Sequence, residues 1–121
     1  MAVDNELNVY IEDNGVCKYD VDGNLIWKKL SGSFTNFTID NDQNIICTSR
    51  DQGIYKLSNN GSTIWNRPTN GNVFDCAIDS NNNIYYGDRT SERIYKIDSE
   101  GNTMWQVSRH STDVMYSISI G

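Results

Sequence analysis

One proline, one histidine and three cysteines in 121 residues leave little room for several familiar designs. Cys17, Cys47 and Cys76 are odd in number and far apart, with no CxxC pair. That excludes a zinc ribbon or a disulfide framework and predicts three free thiols, as in a reducing, cytoplasmic setting. No apolar run approaches the ~18–20 residues that a membrane span needs, so no membrane partner is expected. The first residues, Met1-Ala2-Val3-Asp4-Asn5-Glu6, lack the basic-then-apolar layout of a secretion signal. Positive charge is also short: Lys and Arg number 10 against 16 Asp and Glu, a net charge of −6. Such a chain is a poor nucleic-acid binder unless its basic residues gather on one face. No helical period is present, and neither is GxSxG, a Walker loop or HExxH. His110 stands near Asp113, but no motif places a Ser or Cys nucleophile beside it. No metal or cofactor is expected.

What the chain has is a repeat. Val16-Cys17-Lys18-Tyr19-Asp20-Val21-Asp22-Gly23-Asn24-Leu25-Ile26-Trp27 aligns with Ile54 to Trp65 and again with Ile94 to Trp105. All three tryptophans share one repeat position, 38 and then 40 residues apart, each four places after a glycine. Ile39-Asp40-Asn41-Asp42-Gln43-Asn44-Ile45-Ile46 and Ile78-Asp79-Ser80-Asn81-Asn82-Asn83-Ile84-Tyr85 form a second pattern, with a weaker copy from Val3 to Tyr10. Short alternating runs of β-branched and aromatic residues, broken by Asn, Asp and Gly, predict strands and tight turns. Gly23, Gly61 and Gly101 sit where a hairpin needs positive φ. A period near forty residues with four short strands predicts a β-propeller blade, so the fold class is all-β.

The tyrosine-rich strand, D-x-x-G-type turn and Trp strand resemble the blades of quinoprotein (pyrroloquinoline quinone-like) propellers. The Ile-Asp-x-x-x-Asn-Ile-Tyr entry resembles NHL-type blades. The resemblance implies four strands per blade, A to D from the axis outward. Strand A is assigned to Asn36–Ile39, Val73–Ile78 and Val114–Ser119, and B to Asn8–Ile11, Asn44–Thr48 and Asn83–Tyr86. Strand C is assigned to Val16–Tyr19, Ile54–Leu57 and Ile94–Ile97, and D to Leu25–Lys28, Thr63–Asn66 and Thr103–Gln106. One domain over 1–121 therefore holds repeats at about 3–38, 39–77 and 78–117. Only Met1-Ala2-Val3 stands where the first inner strand belongs, and 114–119 is an inner strand with nothing after it. Rings need about four to eight blades, so three blades cannot close one. Two chains exchanging terminal strands would make a six-bladed homodimer; a piece of a longer propeller is the alternative. Quinoprotein dehydrogenases need a longer ring, cofactor and calcium residues and adjacent cysteines. Their absence sets the expectation of a non-enzyme.

Charge marks the candidate site. The A–B and C–D turns share one face and carry Asp and Glu without Lys or Arg. The B–C and D–A connections share the other, with Lys28, Lys29, Arg50, Arg67, Arg89, Arg93, Arg109 and His110. Lys18, Lys56 and Lys96 recur on strand C and read as structural, as do the three tryptophans, which are expected to be buried. Arginine's planar fork suits phosphate or carboxylate, and a concave mouth focuses the field. The expectation is a non-catalytic protein that captures or sequesters a small anionic ligand, such as a nucleotide. Arg50, Arg67, Arg89, Arg109, His110, Lys28, Lys29 and the inner-strand Tyr116 are its candidate residues. The same loops also hold Glu12, Asp13, Asp51, Asp75, Asp88, Glu92 and Asp113, so ordinary local pairing is an equal account. A protein–protein interaction platform is the competing function. Asp20–Asn24 and Asp40–Asn44 have a calcium-loop flavour, for which turn chemistry is the better account.

Overall fold

The computed structural model describes residues 1–49, 51–69 and 73–108. Twelve strands form three antiparallel sheets of four, each a meander in chain order. Blade 1 comprises β1 (Ala2–Val3), β2 (Val9–Glu12), β3 (Val16–Tyr19) and β4 (Leu25–Lys29). Blade 2 comprises β5 (Asn36–Ile39), β6 (Ile45–Ser49), β7 (Gly53–Leu57) and β8 (Thr63–Arg67). Blade 3 comprises β9 (Val73–Ile78), β10 (Ile84–Asp88), β11 (Arg93–Ile97) and β12 (Thr103–Ser108). These bounds agree with the sequence assignments to within two residues. β1 lies against β5, and β5 against β9, so the inner strands adjoin one another.

Two differences from expectation matter. First, Ala2 and Val3 do form an inner strand, pairing with Tyr10 and Val9. It is two residues long, against four in β5 and six in β9. Second, β4, β8 and β12 run past their expected ends, so Lys29 and Arg67 lie on the outermost strands, as Lys28 does by the assigned bounds. The expected inner strand 114–119 lies outside the described residues.

Blade 2 shows how the period of two works when both faces of a sheet are covered. Ile45 and Cys47 of β6 join Tyr10, Val16, Phe34, Phe37 and Leu57 in a core shared with blade 1. Ile46, between them, points the other way and joins Ile54, Val73, Cys76, Ile84, Tyr86 and Ile97 in a core shared with blade 3. Every residue of β6 is buried. Burying an Ile or Leu contributes ~1.5–3 kcal/mol, so these two cores supply the main attraction between blades. The three cysteines are free and buried. Burial pushes the Cys47 thiol well up, as it does Cys17, which leaves little thiolate for reaction.

Local hydrogen bonds account for the turns. Asp4, Asp40 and Asp79 each accept two backbone amides of their own turn through Oδ1, at 2.9–3.0 Å. Asp20 and Asp98 do the same in the C–D turns. The calcium-like spacing is therefore turn chemistry, each aspartate holding the chain reversal that its own sequence position requires.

Candidate functional site

Topology puts the basic connections and the acidic turns at opposite edges of the sheets, as the alternation of an up-and-down meander demands. The individual basic residues do not converge as expected. Lys28 and Lys29 are exposed on β4, far along the sheet from its inner strand. The Lys29 stem packs on the next blade, where an added Cβ at Gly61 would fall 2.9 Å from its Cγ. Arg67 is committed elsewhere: it donates to Tyr86 Oη at 2.9 Å, Gly101 O at 3.0 Å and Thr103 Oγ1 at 2.7 Å. Its guanidinium also lies 5.8 and 5.7 Å from the rings of Tyr86 and Tyr95, which stack at 4.8 Å. This arginine bolts blade 2 to blade 3, and each charge-assisted bond contributes ~1.5–3 kcal/mol. Burial raises the Tyr86 hydroxyl pKa while Arg67 pulls it back.

Arg89 is half-buried in the β10–β11 connection, immediately after the buried Asp88. Asp88 Oδ1 accepts the amides of Thr90 and Ser91, so its charge is spent on loop geometry. Arg93 begins β11 and bonds Gln106 Oε1 at 2.6 Å. Arg50, Arg109, His110 and Tyr116 lie outside the described residues. Among the described residues, then, no two candidate cations meet around a shared space, and no pocket is enclosed.

The repeated residues that do converge are the tryptophans and strand-C lysines, and they converge between blades. Trp27 Nε1 and Lys18 Nζ both donate to Asn59 O, at 3.2 and 3.0 Å. Trp65 Nε1 and Lys56 Nζ both donate to Ser99 O, at 3.0 and 2.9 Å. The glycine two places after each acceptor leaves room for the indole: a Cβ at Gly61 or Gly101 would approach the ring to 3.1 Å. Blades 1 and 2 thus each clasp the C–D turn of the next blade. Lys18, Trp27, Lys56 and Trp65 hold structural contacts between blades, as the repeat implied, but the tryptophans are not buried as expected. Trp27 and Trp65 are half-buried and Trp105 is 43% exposed, because the outermost strand has a neighbour on one side only. Sequence reading missed the Arg67 bolt altogether; its repeat mates are Lys29 and Val107, so no pattern announces it.

The same arc occurs in known enzymes. A catalytically inactive virginiamycin B lyase from Staphylococcus aureus, solved with quinupristin, matches with a TM-score of 0.77 at 13% identity over 94% of this chain. A streptogramin B lyase structure matches at 0.74 and 14%, again over 94%. A Bacteroides caccae protein of unknown function matches at 0.54 and 15% over 78%. No family model and no curated protein matches. The chain spans about two fifths of the lyases' length, 42% and 41%. These likenesses establish the β-propeller fold, and they support neither the quinoprotein nor the NHL assignment. They also correct the expectation of a non-enzyme. The propellers matched over 94% of this chain are lyases, so missing dehydrogenase residues do not argue against catalysis on this fold. Among the described residues, no helix is long and apolar enough to cross a membrane.

Proposed function

We propose that the chain is half of a six-bladed ring built from two copies, and that the basic-edge loops of this ring bind a small anionic ligand. Six is the one multiple of three within the range of about four to eight blades that rings use. The short β1 adds to this reading. Ile11 and Glu12 of β2 pair with β3 but have no inner-edge partner among the described residues. Residues 114–119 of the other copy would pair along that edge and cover its open hydrogen-bonding groups.

The observation carrying the ligand reading is the segregation of charge. The A–B and C–D turns contain no Lys or Arg, whereas Arg50, Arg89 and Arg109 fall in connections at the opposite edge. Closing the ring brings two sets of these loops around one mouth, where field from a concave surface concentrates an anion. With Arg67 engaged between blades and the two lysines exposed on the outermost strand β4, Arg50, Arg89 and Arg109 are the residues to test. Calorimetric titration with a panel of nucleotides and simpler anions should give binding that each Arg→Ala change weakens about ten- to hundredfold. Wild-type protein that bound none of them would leave the protein-platform function standing instead. A second reading is favoured by the lyase likeness: the ring would cleave the ligand it holds, and incubation with quinupristin followed by mass spectrometry tests this.

A further inference from the structure

The clasps repeat with a direction. Blades 1 and 2 each offer a Trp and a Lys to the C–D turn of the blade that follows. Among the described residues, the Trp and Lys of blade 3 and the C–D turn of blade 1 have no such counterpart. We propose that blade 3 of one copy clasps the Asp20–Asn24 turn of another, with Trp105 Nε1 and Lys96 Nζ donating to Val21 O over Gly23. This inference rests on the two-copy ring and specifies its contact.

Both halves stand ready in the protomer. On the clasp side, Trp105 meets Tyr85 at 6.2 Å and 63°, as Trp27 meets Tyr10 at 6.0 Å and 53°. Lys96 Nζ sits 5.2 Å over the Tyr85 ring, as Lys18 sits 5.5 Å over Tyr10. Tyr85 and Tyr10 are themselves held by Asp79 and Asp4, each at 2.9 Å. Blade 3 therefore holds its Trp and Lys as blade 1 does, yet among the described residues they have no turn to grip. On the turn side, Gly23 has φ of +85°, matching +91° at Gly61 and +86° at Gly101. Asp20 N bonds Asn24 O and Gly23 N bonds Asp20 O, the pattern of the two clasped turns. Nothing lies within 4 Å of a Cβ built on Gly23, and Val21 is 65% exposed.

A second pair of positions fits the same docking. Where blades 2 and 3 meet, Arg67 reaches Thr103. Its repeat equivalent on blade 3 is Val107, and that of Thr103 on blade 1 is Leu25. Both are apolar and exposed, at 36% and 54%. The polar pair of the internal junction is thus replaced by an apolar pair at the two free ends, where apolar contact drives association without a partner for each polar atom. The A–B turns contribute less. Asn5 N and Asn41 N donate to the side chains of Gln43 and Asn82, but the equivalent acceptor on blade 1 is Leu7, which has no amide. The contact is heterologous, and two such contacts close a ring around a two-fold axis.

The test uses the 121-residue chain with a benzophenone side chain at position 107, beside the clasp, and a control with it at position 29, which packs on the next blade at Gly61. Light scattering gives the mass, and peptide mapping gives the adduct. A dimer whose position-107 adduct maps to residues 20–28 of another copy, while position 29 maps to 58–63 of its own chain, supports the clasp. Trp105→Ala should then raise the dimer dissociation constant roughly a thousandfold, since two anchoring tryptophans leave each ring. A dimer that cross-links elsewhere, or that survives Trp105→Ala unchanged, overturns the clasp and leaves the ring. A monomer at about 10 μM, roughly ten times a dissociation constant of ~1 μM, overturns both.

Discussion

Trp65 and Trp105 occupy the same place in successive blades, each four residues after the glycine of its C–D turn, and meet opposite surroundings. Trp65 donates to Ser99 O and lies against Gly101, with Lys56 and Arg67 on either side of the same turn. Trp105 is 43% exposed, and every residue of β12 is exposed with it. The difference does not come from the blades, whose registers are alike, down to the bulge at Lys56/Leu57 and at Lys96/Ile97. It comes from what stands next to each blade. A propeller sheet is half-finished as a folding unit until both of its faces are covered, and among the described residues blade 2 alone meets that condition.

The sharpest way to break this comparison is to remove each indole in turn. Trp65→Ala should lower protomer stability by about 3 kcal/mol, through lost packing and the loss of one of the two hydrogen bonds to Ser99 O. Trp105→Ala should cost under about 1 kcal/mol in dilute, dissociated protein. Urea melts at low concentration check both. Equal losses would mean that the outermost strand stabilises its own blade rather than the junction.

Adding a methyl group separates the turn from its clasp. Gly23→Ala and Gly101→Ala both force an L-residue into the left-handed region, at ~1–2 kcal/mol. Only Gly101→Ala also places a Cβ 3.1 Å from the Trp65 ring, so it should cost about 1 kcal/mol more in thermal melts of the protomer. In assembled protein the gap should close, because Gly23 then carries a clasp as well.

The smallest effect is shared by open and clasped turns and so calibrates them. The amide of Asn24 lowers the Asp20 pKa, and that of Asn102 lowers Asp98. In Asp4 and Asp79 burial pushes upward, but the bonds from Asn8 and Tyr10, or from Asn83, Asn81 and Tyr85, win and the pKa falls. A folded pKa below the unfolded value of ~3.9 means that the ionised form is favoured by folding. The contribution is complete above about pH 5 and lost as pH falls through the folded values. Asp20→Asn and Asp98→Asn should flatten the acid side of the melting curve by similar small amounts. A much larger change at Asp98 would show that the clasp, rather than the turn amides, holds its carboxylate.

Strand positions were legible because they are written locally. Asp40, Gln43 and Asn44 make one chain reversal with bonds spanning at most four residues, and Ile45 to Ser49 then alternate by a period that any strand shares. The candidate site was legible only as a side of the molecule. That Arg67 would fold onto Tyr86 and Thr103, 19 and 36 residues away, depends on the angle between two sheets, and no local pattern encodes that angle. The inner strand at Ala2–Val3 was readable as a position but too short to read as a strand.

By itself, then, the chain's order of residues determined four-stranded blades, their turns and the edge at which each charge would emerge, because hairpins are settled by side-chain alternation and by glycines at positive φ. Tertiary structure alone decided which repeated residues cross from blade to blade, which tryptophan is covered and which arginine is spent on a neighbour. Those outcomes follow from the packing of whole sheets, where an identical side chain is a clasp beside one blade and an exposed surface beside none.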